Sequence, residues 1–170
     1  METLYKGKAK SIAVAVDGSD PSWEAFGRAV NMARLMNLEI DVLFVVQLQK
    51  RGYFAFIDRH LKEDKEAAAQ AVFAEAQRRA ARAGLTIHTH LLESEEDPGN
   101  AIVDFLEQAR GVKFLVIGSY GHGFKSRAIL GSTTEKVIRE IARRVIPVPV
   151  LVVPAIRSEP AAEAAGPEND

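Results

Sequence analysis

Apolar residues recur along the chain in two alternating patterns. The first pattern is a short, nearly continuous apolar run rich in β-branched residues, which is typical of strands covered on both faces of a sheet. Four such runs are SIAVAV at 11–16, IDVLFVV at 40–46, FLVIG at 114–118 and VPVLVV at 148–153. A fifth segment, TIHTHLL at 86–92, alternates apolar and polar residues and predicts a strand nearer an edge, with one wetter face.

The second pattern spaces apolar residues at helical intervals. It predicts helices at Pro21–Met36, at about Leu61–Ala83, from Pro98 to Gly111, and from Ser132 to Pro147. Ser19 and Asp20 are both suited to cap the first helix. Because strand and helix alternate four times before a last strand, the chain predicts an α/β fold with a parallel sheet and right-handed crossovers. Only Gln47–His60 fits neither pattern, and we expect a loop with short helical turns on the rim where such sheets bind ligands.

The composition excludes several classes of function. None of the 170 residues is Cys, so disulfides, thiolate metal sites and cysteine nucleophiles are ruled out. A membrane span needs about 20 apolar residues. The longest apolar run, Val145–Ile156, has 12 residues. Residues 1–10 contain no apolar stretch of signal-peptide length. These features predict a cytoplasmic protein without a membrane partner.

The charge is distributed unevenly along the chain. Residues 158–170 contain four acids and no Lys or Arg, which leaves 22 bases against 19 acids in the rest. We therefore expect a folded domain over residues 1–155 and a disordered acidic tail, rich in Ala, Pro and Glu, over 156–170. The small positive excess of the folded part is too weak to indicate nucleic-acid binding.

The segment that joins the fourth strand to the fourth helix combines glycines and hydroxyls. Glycines at 118, 121 and 123 allow positive φ angles and let a ligand approach the backbone closely. Gly131-Ser132-Thr133 brings N–H groups and two hydroxyls to a helix N-terminus, which is typical of an anion site. The segment predicts a phosphate-binding loop.

Cations accompany these glycines, at Lys125, Arg127 and His122. The segment is nevertheless not a standard P-loop, because Phe124 separates Gly123 from the lysine, and it lacks the third glycine of the dinucleotide-binding fingerprint. A glycine-rich turn followed by an ordinary helix cap remains the alternative interpretation.

Asp17-Gly18-Ser19-Asp20 follows the first strand. In a doubly wound sheet the ends of strands one and four adjoin the point where the strand order reverses. A carboxylate there accepts hydrogen bonds from ribose hydroxyls or approaches a phosphate-bound Mg²⁺, so Asp17 is a candidate metal ligand through a phosphate-bound Mg²⁺ only. The alternative role of this segment is local, with Ser19 or Asp20 as the cap of the first helix. Both roles are compatible, because Asp17 is then not needed as the cap.

These residues resemble the ATP-binding branch of the universal stress protein family. Gly118-x2-Gly121-x9-Gly131-Ser132 is similar to that family's nucleotide-binding pattern. Four further landmarks occur in the family's order within residues 8–155, namely Asp17-Gly18-Ser19, Leu43–Val46, Asp97-Pro98 and Val150–Val153.

The resemblance implies a Rossmann-like fold with a doubly wound, five-stranded parallel sheet in the order 3-2-1-4-5, helices on both faces, and a homodimer through the last strand, Val148–Val153. A flat apolar edge strand favours the same partner on physical grounds, because pairing with its own copy covers it. The ligand implied is ATP, with AMP or cAMP as weaker alternatives.

The resemblance also implies a set of binding residues. On the base and ribose side these are Ala15, Val16, Asp17 and Val45. Around the phosphates they are Gly118, Ser119, Tyr120, Gly121, His122, Gly123, Phe124, Gly131, Ser132, Thr133 and Thr134. The chain departs from the family at Tyr120, where Arg or His is common, so one phosphate contact is in doubt.

The expected function is therefore that of a nucleotide-dependent sensor or regulator in the stress response. Two alternatives stay open: a weak ATPase or autophosphorylating protein with Ser132 or Thr133 as acceptor, and a nucleotide-free dimeric interaction module. No residue clearly orients an attacking water, so no catalytic residue is predicted. His88 and His90 share a strand face without a third metal ligand, and we interpret them as a solvated face.

Overall fold

The computed structural model describes residues 10–48, 55–120 and 130–154. In chain order the elements are β1 (Ser11–Ala15), α1 (Asp20–Met36), β2 (Glu39–Gln47), α2 (Ala55–Arg82), β3 (Ile87–Ser94), α3 (Pro98–Gln108), β4 (Val112–Gly118), α4 (Ser132–Arg144) and β5 (Val150–Val153). All strand pairs are parallel, and the sheet order is β3-β2-β1-β4-β5. The predicted fold class and strand order are confirmed.

The central strands bury both faces because their side chains alternate between two apolar cores. Ile12 and Val14 of β1 lie with the buried residues of α1 and α2. Ala13, between them, lies with the buried residues of α3 and α4, as do Leu43 and Leu115 of the neighbouring strands. A continuous apolar run in the sequence is therefore what a strand between two helical layers requires.

The position of a crevice follows from this topology. β1 and β4 are neighbours at the centre of the sheet. The helix after β1 packs on one face and the helix after β4 packs on the other. The connections that follow β1 and β4 therefore run to opposite faces of the sheet and separate at the carboxyl ends of these two strands. Open α/β sheets bind ligands at this place.

Several element ends differ from the sequence prediction, and two of these differences have a clear physical reason. α2 begins at Ala55, inside the segment that we expected to be a loop, because residues 55–60 contain neither Gly nor Pro and each further helical residue adds a hydrogen bond. β5 begins at Val150 rather than Val148, since Pro149 has no N–H to donate to a strand ladder.

The predicted acidic tail, residues 156–170, lies outside the described residues, and so does 121–129 of the glycine-rich segment. Within the described ranges, no helix combines the length and the apolar character that crossing a membrane requires.

Candidate functional site

A pocket of about 160 Å³ lies at the carboxyl ends of β1, β2 and β4. This is several times the roughly 30 Å³ that one water molecule occupies in the liquid, so the pocket is more than a packing defect. Its lining residues are Ala15, Val16, Asp17, Ser22, Leu43, Val45, Pro98, Ile102, Ile117, Gly118, Tyr120, Thr133 and Thr134.

One wall is the turn between β1 and α1. Gly18 takes a φ of 86°, a left-handed conformation that favours glycine. The turn brings Asp17 Oδ1 within 2.9 Å of the Ser19 backbone N, and both the N–H and the hydroxyl of Ser19 donate to that oxygen. Ser19 is also the N-cap of α1, accepting from the N–H of Ser22. The structure thus decides between the two capping candidates, and it holds the exposed Asp17 carboxylate at the pocket.

The opposite wall is the N-terminus of α4. Gly131 is its N-cap residue and makes no side-chain cap hydrogen bond. The first helical i to i−4 hydrogen bond of α4 is donated by the N–H of Glu135 to Gly131 O, at 2.9 Å. The N–H groups of Ser132, Thr133 and Thr134 precede it, and such first-turn groups lack an intrahelical partner and favour an anion. The pocket therefore has a carboxylate on one wall and a helix N-terminus on the other.

The base of the glycine-rich loop is closed by hydrogen bonds. Gly131 N–H donates to Ser119 O at 2.7 Å, and the Thr134 hydroxyl donates to Gly118 O at 2.8 Å. Ser119 N–H in turn donates to Val153 O of β5 at 2.9 Å. The two ends of the loop are therefore held together at the end of the sheet.

Gly118 serves a different purpose from the one we expected. Its φ is not among the positive values found in the described residues. A Cβ at this position would instead lie 3.0 Å from Pro21 O and 3.1 Å from Pro21 C, in the first turn of α1. Glycine is favoured there because β4 and α1 approach closely, and a Cβ would force the α1 backbone to move by a few tenths of an ångström.

Between the two walls lies an apolar slot. Val16 N–H donates to Leu43 O at 2.9 Å, but the paired residues of β1 and β2 end at Ala15 and Leu43. β2 continues to Gln47, beyond the last residue paired with β1. Val45 therefore has no β1 residue beside it and lines the pocket instead. Ile102 of α3 and Ile117 of β4 also line the slot. A flat apolar ring fits such a space better than a charged group does.

The predicted binding residues fall into three groups. Those that line the pocket are Ala15, Val16, Asp17, Val45, Gly118, Tyr120, Thr133 and Thr134. Ser119, Gly131 and Ser132 lie beside it without lining it: the first two form the loop base, and Ser132 is an exposed residue of the first turn of α4. Gly121, His122, Gly123 and Phe124 lie outside the described residues.

Sequence reasoning missed five lining residues, namely Ser22, Leu43, Pro98, Ile102 and Ile117. Four of them are apolar or Pro, and in the sequence they are indistinguishable from core residues. Pro98 and Leu43 were recognised as family landmarks only. Ser22 carried a usable signal, because it lies three residues after an N-cap residue and next to the Asp17 turn.

Asp17 is the only charged side chain that lines the described part of the pocket. The described residues contain no group of three or more His, Asp or Glu arranged to hold a metal ion. Lys125 and Arg127, which we expected to supply positive charge, lie outside the described residues. Within the described part, the pocket therefore offers backbone N–H groups and hydroxyls to an anion.

The two strand histidines are each paired with a carboxylate of β2, which our interpretation as a solvated face did not include, although the His88 side chain is 43% exposed. His88 Nε2 lies 2.6 Å from Glu39 Oε2, and His90 Nε2 lies 2.7 Å from Asp41 Oδ1. Asp41 is fully buried and also accepts a hydrogen bond from Ser11. The sequence could not reveal this, because the partners are 49 residues away on β2 and meet the histidines only through the sheet register.

Helices α3 and α4, which both contribute to the pocket, are joined by an ion network. Glu140 of α4 is buried and contacts Arg143 at 2.6 Å and Arg144 at 3.2 Å. Arg144 reaches across to Asp104 and Glu107 of α3, at 2.5 and 3.1 Å. The hydrogen bonds from Arg143 are the largest cause that lowers the pKa of Glu140, to about 2 from an ordinary value of 4.5. The hydrogen bond from Arg144 to Asp104 is the largest cause that raises the pKa of Arg144.

Comparisons with known proteins point to one family. A family model described as the universal stress protein family matches residues 8–154. The chain is 34% identical over 164 residues to a universal stress protein from Methanocaldococcus jannaschii, with 93% of this chain and 87% of that protein covered. It is 28% identical over 144 residues to a putative universal stress protein from Staphylococcus haemolyticus, with 85% of this chain and 84% of that protein covered.

Solved structures show the same likeness. The fold is similar to that of the universal stress protein UspA from Lactobacillus plantarum, with a TM-score of 0.71, 25% identity, and 87% of this chain and 99% of that chain covered. It is also similar to a universal stress protein solved in complex with cAMP, with a TM-score of 0.61, 25% identity, and 88% and 100% of the two chains covered.

Proposed function

Because the chain belongs to the universal stress protein family, we propose that it binds an adenine nucleotide in the pocket between β1 and β4. In this proposal the protein acts in the cytoplasm as a nucleotide-dependent sensor or regulator of stress tolerance.

The observation that carries the proposal is the combination of three chemistries in one pocket. The Asp17 carboxylate lies on one wall, the first turn of α4 on the other, and an apolar slot containing Val45 and Ile117 between them. A nucleotide has the same three parts: ribose hydroxyls that donate to a carboxylate, phosphates that accept from helix N–H groups, and a flat base. Of the two alternatives, a nucleotide-free module does not require this arrangement. A weak ATPase or autophosphorylating protein would use the same pocket, and release of phosphate above that of a Ser132→Ala control would distinguish it from a protein that only binds the nucleotide.

We propose ATP as the ligand, with AMP and cAMP binding more weakly. The helix N-terminus and the glycine-rich loop that follows β4 suit a chain of phosphates. Asp17 is within the same pocket and would approach a Mg²⁺ ion carried by the phosphates. The similar protein solved with cAMP supports an adenine nucleotide and leaves the number of phosphates to experiment.

Calorimetric titration with ATP, AMP, cAMP and adenosine, each with and without Mg²⁺, tests the proposal. We expect ATP with Mg²⁺ to bind most tightly and adenosine most weakly. No heat of binding for any of the four ligands at millimolar concentration contradicts the proposed function. Tighter binding of cAMP than of ATP contradicts the choice of ligand only.

A charge variant tests the assignment of the phosphate end. Thr133→Glu places a carboxylate in the first turn of α4, where it is compatible with the helix but repels phosphates. We expect at least a tenfold loss of ATP affinity, with adenosine little affected. Thr86→Glu is the matched control, because Thr86 is exposed and precedes β3 at the opposite edge of the sheet. Equal losses in both variants would argue against a phosphate site at α4.

We further propose a homodimer formed through β5. Leu151 is 40% exposed on this strand, which lies at one edge of the sheet. Pairing two copies across a two-fold axis would cover both edges at once.

A further inference from the structure

Two of the three helices that border the pocket carry a buried hydroxyl at their third residue. In α1 this residue is Ser22, and in α4 it is Thr134. Their side chains are 5% and 3% exposed, and both residues line the pocket.

The two hydroxyls are bonded to the protein backbone. Ser22 Oγ donates to Ser19 O at 2.8 Å and accepts from Asp17 N–H at 3.3 Å. Thr134 Oγ1 donates to Gly118 O at 2.8 Å. Since a hydroxyl has a single proton to donate, neither group is a donor to a ligand while these bonds persist.

Each bond fixes a segment that faces the ligand. The Ser22 bonds hold the backbone on either side of Gly18, and so determine where the Asp17 carboxylate lies. The Thr134 bond joins the first turn of α4 to the end of β4. The two segments also pack closely against each other, because a Cβ built on Gly118 would lie 3.0 Å from Pro21 O.

We infer that Ser22 and Thr134 are positioning residues for the bound nucleotide, Ser22 for its ribose end and Thr134 for its phosphate end. The inference rests on the proposed function. It reassigns Thr134, which the family resemblance implied to be a phosphate contact, to a role that acts through the backbone of α4. Preorganised backbone groups bind an anion without the cost of ordering them at the moment of binding.

The inference predicts different patterns of affinity for the two residues. Thr134→Val replaces the hydroxyl by a methyl group, so we expect ATP and AMP affinity to fall by about three- to tenfold, the loss of one hydrogen bond, while adenosine affinity changes less than about twofold. Ser22→Ala displaces Asp17, which every ligand with a ribose contacts. We therefore expect adenosine, AMP and ATP to lose affinity by a similar factor.

The chain offers a matched control at Ser94. This buried hydroxyl makes the same two kinds of bond, donating to Asp97 O at 3.0 Å and accepting from Glu96 N–H at 3.3 Å, next to the start of α3. Ser94 does not line the nucleotide pocket, and the helix next to it, α3, contributes only Pro98 and the apolar Ile102 to the described lining, neither of which is assigned to the ribose or the phosphates. Ser94→Ala should therefore lower the midpoint of thermal unfolding as the other variants do, without changing the affinity for any of the three ligands.

The experiment is calorimetric titration of adenosine, AMP and ATP into the wild-type protein and the three variants, with Thr134→Ser and Ser22→Thr as conservative rescues. Rescue of affinity together with the two distinct patterns supports the inference. Suppose that the wild type binds ATP. If Thr134→Val and Ser22→Ala each lower the affinity for all three ligands by the same factor, or if Ser94→Ala lowers it as much, the inference is wrong and the proposed function stands. If the wild type binds none of the ligands, the proposed function itself fails, and the inference fails with it.

Discussion

Two glycines of the chain have opposite structural roles. Gly27 is an exposed residue in the middle of α1, and a Cβ built there would meet nothing within 4 Å. Gly118 ends β4, and a Cβ there would lie 3.0 Å from the carbonyl oxygen of Pro21. Gly27 therefore lowers the stability of α1 although no neighbouring atom excludes a side chain there, whereas Gly118 allows a close contact between two backbone segments.

We predict that Gly27→Ala raises the free energy of unfolding by about 0.5–1 kcal/mol, because alanine loses less conformational freedom in a helix. Gly118→Ala should lower it by about 1–3 kcal/mol, because the backbone of α1 has to shift. Urea unfolding of both variants measures the difference. A Gly118→Ala variant as stable as the wild type would mean that β4 and α1 are not in contact.

At this scale the sequence predicted which residues matter better than it predicted why. Gly118 was identified correctly as a special position, but for its φ angle rather than for its contact with Pro21. The pairing of His90 with Asp41 was not predicted at all. Both errors have the same cause: the deciding partner is distant in sequence and becomes a neighbour only when strands and helices pack.

The ends of two helices make a second matched pair. Asn37 ends α1 with φ and ψ of 54° and 52°, and Val145 ends α4 with 55° and 46°. In both, the next residue donates its N–H five residues back, from Leu38 to Ala33 O and from Ile146 to Ile141 O. The backbone motif is the same, but the left-handed conformation costs less free energy for Asn than for a β-branched residue such as Val.

Exchanging these residues should therefore have opposite effects. We predict that Val145→Asn increases the free energy of unfolding by about 1 kcal/mol, and that Asn37→Val decreases it by a similar amount. Val145 is 83% exposed, so its replacement removes little packing. Thermal unfolding of the two variants checks the prediction, and a destabilised Val145→Asn protein would refute it.

The junction between α3 and α4 gives stability a specific dependence on pH. The pKa of Glu140 is lowered to about 2, chiefly by the hydrogen bonds from Arg143. A carboxyl group whose pKa is lower in the folded state than its ordinary 4.5 contributes stability that is fully present above about pH 4.5 and is lost as the pH falls toward 2. Glu140→Gln should remove that part of the acid sensitivity.

The measurement is urea unfolding of the wild type and Glu140→Gln at intervals between pH 7 and pH 2. We expect the difference between the two to be constant at neutral pH and to shrink below about pH 4.5. Glu135→Gln is the control on the same helix, because Glu135 and its partner Arg139 are 56% and 69% exposed and such surface pairs contribute little. Parallel pH curves for the wild type and Glu140→Gln would exclude the role assigned to the network.

Elements were predicted well where apolar periodicity is strong and less well elsewhere. β1, β2 and β4 are recognisable because buried parallel strands must be apolar on both faces. The start of α2 at Ala55 was missed because residues 55–60 span fewer than two helical turns, too few to show a helical period on their own.

At the scale of the whole molecule, the pattern of strands and helices predicts a parallel sheet, and the family resemblance supplied the strand order. The crevice between β1 and β4 is a consequence of that order, and it explains why Asp17 and Thr133 line one pocket although 116 positions separate their numbers. The apolar slot between them was not predictable, because Ile102 and Ile117 look like any other core residue in the sequence.

The same topology leaves two edge strands, β3 and β5, and the proposed dimer distinguishes between them. Leu151 on β5 is 40% exposed and Leu91 on β3 is 36% exposed, so the two residues are alike in type and in exposure. β3 carries charge and paired histidines along its length, which are features that discourage pairing between edges. β5, with the sequence VLVV, has none.

We therefore predict that the wild type sediments as a dimer at micromolar concentration and that Leu151→Lys shifts it to a monomer. A lysine at the centre of a two-fold contact would face its own copy, and like charges brought together on adjacent strands are destabilising. Leu91→Lys adds the same charge at the other edge and should remain dimeric, which separates the loss of a specific contact from a general effect of charge. Sedimentation velocity of the three proteins at several concentrations decides the matter. A monomeric wild type, or dissociation by Leu91→Lys rather than Leu151→Lys, would remove β5 as the interface.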